Sequence, residues 1–206
     1  MAELLQPFTG DADITPDVLE PLHSYLDLLM RWNARINLTA VRDLDEIVTR
    51  HFGESLFAGK ILFPRGRNTE ARTYMDFGSG AGFPGIPIKL WAPHVELTLI
   101  ESQNKKATFL REVLRGLKLD NARVFAGRAQ DWGHDADVVT LRAVERFEAA
   151  LPVAARLVTP GGRLCLLIGA GQLETARKLL DEAWSWDEPH LVPHSTERVV
   201  VIAHRG

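Results

Sequence analysis

The glycine-rich segment from Tyr74 to Gly85 constrains the fold more than any other part of the chain. It joins a short β-prone run, residues 73–77, to an apolar helical pattern, residues 85–91. A strand that turns into a helix through glycines is typical of open parallel α/β sheets, whose ligands bind where the backbone can be approached closely. The segment therefore predicts an α/β fold with a ligand site at this turn.

The chain after Thr73 continues to alternate short apolar runs with helical patterns. Because neighbouring parallel strands need crossover connections, this alternation predicts an open, mostly parallel, doubly wound sheet. The last two β-rich runs have no helix between them, so we expect an antiparallel hairpin. Pro160-Gly161-Gly162 predicts a turn before the fifth strand. The predicted strands are residues 73–77, 95–100, 122–125, 137–141, 163–168, 188–192 and 198–203, and the predicted helices of this part are residues 85–91, 105–117, 147–157 and 172–184.

The residues ahead of this alternation have helical patterns. Thr15-Pro16 opens a stretch with apolar residues at helical spacing, and a proline in the first turn of a helix costs no hydrogen bond. Asp43 followed by Glu46 resembles a capping box for a second helix. A polar, basic loop at residues 64–72 is the predicted junction, so we divide the chain into an N-terminal helical extension, residues 1–68, and a main domain, residues 69–206.

The net charge of −3 conceals a strong polarisation along the chain. Residues 1–30 hold six acidic side chains and no Lys or Arg, whereas residues 104–128 hold seven basic and two acidic ones. Local patches rather than net charge govern phosphate attraction, so the chain can bind nucleic acid. The alternative for residues 104–128 is the solvated face of a helix. The predicted phosphate-facing residues of the extension are Arg31, Arg35, Arg42, Arg50, Arg65 and Arg67.

Cysteine usage and hydropathy indicate a cytoplasmic protein. Cys165 is the single cysteine and lies in an apolar run, which predicts a buried thiol and excludes an internal disulfide. There is no apolar run of about 18 residues and no pattern of a secretory signal, so we expect no membrane association. The histidines show no metal-ligand spacing, so we expect no metal. His51 is predicted to be a structural histidine, with RNA contact as the alternative.

Two glycine patterns overlap in the Tyr74–Gly85 segment. The dinucleotide fingerprint G-x-G-x-x-G would use Gly80, Gly82 and Gly85, whereas the acid-x-G-x-G-x-G loop of methyltransferases would use Asp76, Gly78, Gly80 and Gly82. A carboxylate at position 76 would repel a pyrophosphate but suits the ammonium group of a bound methionine moiety. The methyltransferase pattern is therefore favoured over a dinucleotide site and over a turn that binds no ligand.

A second acidic residue supports a nucleoside ligand. Glu101 ends the apolar run Leu97-Thr98-Leu99-Ile100. A carboxylate at the end of the second strand accepts hydrogen bonds from the two hydroxyls of a ribose. Both S-adenosylmethionine and NAD carry a ribose, so Glu101 is compatible with either cofactor.

The loop and two N-terminal motifs together resemble the ribosomal RNA small subunit methyltransferase G family, formerly called glucose-inhibited division protein B. The resemblance extends from about Leu22 to about Gly169, and its most specific element is the Pro-Gly-Ile-Pro continuation of the glycine loop. The motifs that carry it are Asn37-Leu38-Thr39-Ala40-Val41-Arg42-Asp43, Arg50-His51 with Ser55, and Asp76 through Pro87.

The resemblance implies a Rossmann-like class I methyltransferase sheet with a terminal antiparallel hairpin and a helical extension that faces RNA. It further implies methylation of N-7 of one guanine in 16S rRNA, with S-adenosylmethionine as donor and the rRNA or the small ribosomal subunit as partner. By position, the cofactor contacts of the family fall on Gly78, Phe83, Ala129, Gln130 and Arg142.

The chain departs from the family pattern at four places. Gln130 stands for a usual Glu, and Leu141 precedes Arg142 where the family has Ser-Arg-Ala. Glu54 stands where many members carry Asp, and Ile168-Gly169 stands for Lys-Gly.

The implied reaction needs positioning rather than a general base. Guanine N-7 has a free lone pair, so the demand is an in-line approach of the methyl group. Neither an Asn/Asp-Pro-Pro-aromatic tetrapeptide, typical of amine methylation, nor a Pro-Cys nucleophile is found. We predict Arg142 as the catalytic, positioning residue, since a guanidinium donates but does not accept protons, with a structural pairing to Glu145 or Asp76 as the alternative. The predicted cofactor-binding set is Asp76, Gly78, Gly80, Gly82, Phe83, Glu101, Ala129, Gln130 and Arg142.

Other functions are compatible with the same fold. One alternative is a methyltransferase of a protein or a small molecule, and another is a non-catalytic nucleotide-binding module. The basic segments and the N-terminal motifs favour the RNA methyltransferase, which we expect to act as a monomer.

Overall fold

A computed structural model describes residues 1–10, 14–65 and 71–206. Its centre is an eight-stranded sheet in the order β3-β2-β1-β4-β5-β8-β6, with β7 also paired to β8. The first five strands are parallel, and β8 runs antiparallel to β5, β6 and β7. The strands are β1 (Thr73–Phe77), β2 (Glu96–Glu101), β3 (Ala122–Ala126), β4 (Ala136–Arg142), β5 (Val158–Gly169), β6 (Trp184–Trp186), β7 (His190–Leu191) and β8 (Arg198–Arg205).

The strand order places a topological switch point at β1. The chain proceeds from β1 to β2 and β3 on one side, and then returns to β4 and β5 on the other. Phe77, at the end of β1, is in register with Ile100 of β2 and with Leu141 of β4. The carboxyl ends of these three strands therefore meet at one edge, which is where open α/β sheets bind ligands.

Helices cover both faces of the sheet, as the predicted doubly wound fold requires. Alternate residues of β5 enter two separate apolar clusters: Cys165 and Leu167 belong to one, and Leu164, Leu166 and Ile168 to the other. The burial of the Cys165 side chain agrees with its prediction. The four helices of this part of the chain are α5 (Gly85–Trp91), α6 (Asn104–Gly116), α7 (Phe147–Arg156) and α8 (Leu173–Leu179).

The N-terminal segment is helical and shares the first cluster with α5 and α6. The apolar stripe of the second helix packs along α6, where Leu28 approaches Gly116 and Trp32 contacts Phe109 at a ring-centroid distance of 5.7 Å. Asp43 caps the next helix, because its side chain accepts from the backbone N–H of Glu46. The Glu46 side chain pairs with Arg50, so the second half of the predicted capping box is not formed. The helices are α1 (Ala2–Thr9), α2 (Pro16–Ile36), α3 (Leu44–Ile47) and α4 (Glu54–Leu62), with a π-helical stretch, Val48–Gly53, joining the last two.

The boundary predicted between residues 68 and 69 lies outside the described residues, so the two-part division stays a prediction. Within the described ranges, no helix has the length and apolar character needed to cross a membrane.

Two local predictions were wrong, and one helix was missed. The Pro160-Gly161-Gly162 turn lies inside β5, where the register with β4 shifts between Ala136 and Val138, so these residues form an irregularity within a strand. The last helix ends at Leu179, and Trp184 begins β6, because it pairs with Arg205 of β8. Helix α1 was not predicted at all. Its eight residues are held by the burial of Leu5 and Phe8, which local periodicity in so short a segment does not reveal.

Candidate active site

The glycine loop between β1 and α5 lies at the switch point and is fixed to the end of β2. The backbone N–H of Ser79 donates to the carbonyl of Ile100 at 2.9 Å, and that of Gly80 donates to Oε2 of Glu101 at 2.9 Å. The Ser79 hydroxyl donates back to the carbonyl of Asp76 at 2.9 Å. These hydrogen bonds therefore fix the loop to the ends of β1 and β2.

The side chain of Asp76 connects the end of β1 to β4 and to the start of α5. Its carboxylate is buried and accepts from the Thr140 hydroxyl at 2.8 Å and from the backbone N–H of Gly85 at 3.2 Å. Burial raises the pKa of Asp76 to about 6, although these hydrogen bonds and Arg142 act in the opposite direction. The structure thus places this side chain between β4 and the start of α5, and its predicted contact with a cofactor ammonium group stays a prediction.

The three glycines of the loop differ in what surrounds them. A Cβ atom at Gly78 or Gly80 would meet nothing closer than 3.5 Å, so the backbone there is open to a ligand. A Cβ at Gly82 would lie 2.5 Å from the Tyr25 hydroxyl and 2.7 Å from Ile86, so this glycine is needed for packing against α2 and α5. In the dinucleotide fingerprint the glycine at position 82 must admit a pyrophosphate. Its covered position argues against that interpretation and favours the methyltransferase pattern.

Glu101 retains the capacity to bind a ribose. The residue is 6% exposed, and each carboxylate oxygen accepts one backbone N–H, from Gly80 at 2.9 Å and from Gln103 at 2.7 Å. A carboxylate oxygen has two lone pairs, so each keeps one for a ribose hydroxyl. The open glycines beside this acid fit the adenosine and methionine parts of S-adenosylmethionine.

Phe83 fills the gap between the loop and the N-terminal helices. Its ring stacks on Tyr25 at 5.2 Å and on His51 at 5.1 Å between ring centroids, and it meets Phe52 edge-on at 5.0 Å. The Tyr25 hydroxyl also donates to the carbonyl of Ala81. The N-terminal helices therefore form one wall of the cofactor loop.

Arg142, at the end of β4, bonds to the helical segment rather than to either of the expected acids. Its Nη2 donates to the carbonyl of Arg50 at 2.6 Å and to Oε2 of Glu54 at 3.2 Å, and lies 3.5 Å from Nδ1 of His51. Neither Glu145 nor Asp76 is its ion-pair partner. Burial lowers the pKa of Arg142, while Glu54 and Asp76 favour its charged form.

Glu54 is shared by two arginines. The carboxylate is buried, and its second oxygen accepts from Nε of Arg198 at 2.7 Å. Arg198 is the first residue of β8 and is in register with Gly169 at the end of β5. The neighbouring Ile168, which stands for the lysine of the family pattern, is buried in the apolar cluster of α7 and α8. Arg198 is thus a second cation, besides Arg142, that the structure places at this edge.

Ala129 and Gln130 lie next to α7. They begin a 3-10 helix, Ala129–Asp131, after β3. Ala129 is buried and Gln130 is exposed, and both line a cleft of about 460 Å³ that also involves Trp132 and Arg156. Their adenine contact stays a prediction. Asp76, the glycines, Phe83, Glu101 and Arg142 are the predicted residues that the structure brings together.

The predicted phosphate-facing arginines have different surroundings. Arg31 and Arg35 are exposed on α2, whereas Arg50 pairs with Glu46 at 2.8 Å. Arg65 lies over the ring of Trp91 at 4.2 Å. Arg67 lies outside the described residues, and Arg42 donates to Asn37 at 3.2 Å while remaining exposed.

Sequence reasoning missed the site roles of Tyr25, Thr39 and Arg198. Tyr25 was hidden within an ordinary apolar helical stripe, and Arg198 within a terminal strand. Thr39 belongs to a motif that carried the family resemblance, which was the available signal. Within the described ranges, no group of three or more His, Cys, Asp or Glu side chains is arranged to hold a metal ion.

The strand order, the open glycine loop at the switch point and the acid ending β2 define a Rossmann-like class I methyltransferase that uses S-adenosylmethionine. The sequence profile of the rRNA small subunit methyltransferase G family matches residues 18–198, and the chain belongs to that family.

Individual relatives agree with this assignment. Ribosomal RNA small subunit methyltransferase G of Xanthomonas campestris pv. campestris is 39% identical over an alignment of 210 positions, covering 100% of this chain and 93% of the relative. The protein of the same name from Streptococcus thermophilus is 33% identical, covering 92% and 84% of the two chains. The crystal structure of ribosomal protein L11 methylase from Lactobacillus delbrueckii subsp. bulgaricus matches with a TM-score of 0.61 at 13% identity, covering 74% of this chain and 79% of that one. The last likeness concerns the fold alone.

Proposed function

We propose that this protein methylates N-7 of one guanine in 16S rRNA, with S-adenosylmethionine as the methyl donor. The donor supplies an electrophilic methyl group on a sulfonium centre. The guanine N-7 lone pair can attack that group directly, so the protein has to bind, orient and exclude water rather than remove a proton.

The observation that carries the N-7 assignment is the chemistry around Arg142. Among the described residues, two ionisable side chains contact its guanidinium, those of Glu54 and His51. Neither is suited to take a proton. The Glu54 carboxylate is engaged by two guanidinium groups. Burial, together with the charges of Arg142 and Arg50, lowers the pKa of His51 to about 3. Methylation of an amine or a hydroxyl would need a base here, whereas methylation of N-7 does not.

Arg142 has donors left for the substrate. Among the described residues, its partners all engage Nη2, so Nη1 and Nε can donate to another acceptor. Guanine O6 is an acceptor beside N-7, and arginine is its commonest partner in nucleic-acid complexes. An arginine that holds O6 would orient N-7 towards the donor methyl group. The cofactor itself would be held by Glu101 at the ribose and by the loop backbone at Gly78 and Gly80, with Ala129 and Gln130 beside the adenine.

The RNA backbone would lie along α2 and α6. Because Leu28 approaches Gly116 and Trp32 approaches Phe109, these helices run antiparallel. We propose that their exposed cations form one surface. That surface includes α6, which adjoins the glycine loop, since the buried Leu110 of α6 would lie 3.1 Å from a Cβ atom at Gly82. Its cations are Arg31, Arg35, Lys105, Arg111 and Arg115, all exposed. We further propose that the enzyme acts in the cytoplasm, where rRNA is found, as a monomer.

The test is methyl transfer from labelled S-adenosylmethionine to 16S rRNA and to small subunits from cells that lack the activity. We expect label at N-7 of a single guanine. Label on an exocyclic nitrogen or a ribose would overturn the N-7 assignment. Label on protein but not on RNA would move the substrate to another class while leaving the cofactor site intact.

A further inference from the structure

His51 contacts three parts of the site at once. Its Nε2 lies 2.6 Å from the Thr39 hydroxyl, and its Nδ1 lies 3.5 Å from Nη2 of Arg142. Its ring lies against Phe83, with an interplanar angle of 27°. The imidazole is therefore enclosed by the loop between α2 and α3, by the end of β4 and by the glycine loop.

The partners of the two ring nitrogens define which one carries the proton. Arg142 has only donors to offer, so Nδ1 has to accept. The proton of the neutral imidazole then resides on Nε2 and is donated to Thr39. The Thr39 hydroxyl oxygen also receives the backbone N–H of Val41 at 3.2 Å, which is consistent with its acting as an acceptor.

We infer that His51 is a positioning residue for methyl transfer, a neutral imidazole with its proton on Nε2 that ties Arg142 to the loop bearing Thr39. The inference rests on the proposed function in that it takes Arg142 as the residue that orients the guanine.

Burial first, and then the neighbouring positive charges, keep the imidazole neutral. Arg142 from β4 and Arg50 on the adjacent turn are the charged groups that lower its pKa, and Thr39 and Phe83 are its uncharged neighbours. A protonated His51 would place a third positive charge beside two guanidinium groups and remove the acceptor for Arg142. With its pKa lowered to about 3, the imidazole is neutral near pH 7.

The loop between α2 and α3 is held to the protein at Thr39 and exposed on either side of it. The backbone N–H of Thr39 donates to the buried side chain of Asn33 at 2.9 Å. Its neighbours Asn37, Ala40 and Arg42 are exposed. A contact of this loop with RNA would therefore be transmitted through one hydroxyl and one imidazole to Arg142.

Nitrogen-15 NMR of the histidine side chains in the free protein tests the geometry without any assay of activity. We expect His51, assigned by its loss in a His51→Phe variant, to show a protonated Nε2 and no titration between pH 8 and pH 5. A protonated Nδ1, or titration near the ordinary histidine pKa, would overturn the inference.

Steady-state kinetics test the role itself. His51→Phe keeps a ring against Phe83 but loses both nitrogens, and we expect kcat to fall about 10- to 100-fold, since small displacements of a positioned group have effects of this size. Cofactor affinity, measured by calorimetry, should change less than about threefold. Thr39→Val should lower kcat in the same direction, and Thr39→Ser, which restores the hydroxyl, should recover it. His190→Phe, at an exposed site on β7, is the matched control.

The outcomes separate this inference from the proposed function. An unchanged kcat in His51→Phe, with an active wild type, would overturn the positioning role alone. A wild type that methylates no RNA would overturn the proposed function, and the NMR result would still decide the state of His51.

Discussion

Nε of Arg198 lies 2.7 Å from Oε1 of Glu54, so the first residue of the last long strand is bonded to the first residue of α4. The other oxygen of the same carboxylate accepts from Arg142. One buried acid thus holds two strands of the sheet edge against the N-terminal helices, and both the stability and the activity of the protein should depend on it.

Replacing Glu54 by Gln should destabilise the fold, because it leaves two guanidinium groups next to a neutral side chain. Removing one partner of a buried ion pair costs several kcal/mol, and partial exposure of Arg198 reduces the effect, so we expect about 2 to 4 kcal/mol in urea unfolding. Glu174→Gln is the control, since its pair with Lys178 is 80% and 72% exposed at the two side chains. It should cost less than about 0.5 kcal/mol. Equal effects of the two changes would contradict the idea that Glu54 holds the sheet edge against the N-terminal helices.

Arg142→Ala should lower kcat/KM for rRNA by about 100-fold or more, and Arg142→Lys should not restore it, because a lysine cannot reproduce the planar fork. The measurement is single-turnover methyl transfer together with calorimetric cofactor binding. Arg146→Ala, at an exposed position just before α7, serves as control. Full activity of Arg142→Ala with unchanged cofactor affinity would remove the role assigned to this residue.

Alanine at Gly80 and at Gly82 should separate cofactor binding from folding. Both glycines have positive φ, of 56° and 89°, so each change costs about 1 to 2 kcal/mol of backbone strain. At Gly80 the new methyl group enters open space, so the main effect should be weaker cofactor binding. At Gly82 it collides with Tyr25 and Ile86, which adds about 1 to 3 kcal/mol of instability. Thermal unfolding and calorimetry distinguish the two, and a more stable Gly82→Ala than Gly80→Ala would refute this distinction.

Asp76 should make the folded protein less stable as the pH rises from about 4 to about 6. Its pKa is raised to about 6 in the folded protein from an ordinary value of 3.8, so the folded state binds the proton more tightly than the unfolded state does. The stability that this group contributes is therefore present below pH 4 and is lost as pH rises to about 6. Relative to wild type, Asp76→Asn should gain about 2 kcal/mol between pH 4 and pH 7. A difference in unfolding free energy that does not vary with pH would show that the folded-state pKa is not raised.

The cations of α2 and α6 should set the salt dependence of RNA binding. Removing one cation that binds a phosphate reduces the slope of log K against log salt by roughly one. Arg31→Ala combined with Arg111→Ala should therefore reduce the slope by about two while leaving cofactor affinity unchanged. Arg177→Ala, on the exposed side of α8, is the control. An unaltered slope in the double variant would place the RNA elsewhere.

Much of the fold could be predicted because the sequence patterns that define it are local. The β1–glycine–α5 unit, the acid at the end of β2 and the cap at Asp43 each depend on residues within one turn or one strand. Trp184 was assigned to a helix because its spacing continues an apolar pattern, whereas its structure is set by pairing with Arg205, 21 positions later. Sequence periodicity contains no information on such pairing.

The residues of the candidate site likewise fall into those that local sequence predicts and those that depend on tertiary structure. The residues of the glycine loop and Glu101 follow from chain order, since the ends of neighbouring parallel strands must meet. The partners of Arg142 do not, because the contacts to Arg50 and Glu54 span 92 and 88 residues. They depend on how the N-terminal helices lie on the sheet, which only the tertiary structure defines.

The cover that Tyr25 provides over Gly82 and the carbonyl of Ala81 limits how this enzyme can be rearranged. A chimera that fused β1 and the rest of the sheet to a foreign recognition module would expose an apolar hole and an unpaired carbonyl at the base of the donor-binding loop. The N-terminal helices and the donor-binding loop therefore cannot be exchanged independently in this protein. They have to be inherited, or engineered, as a single unit.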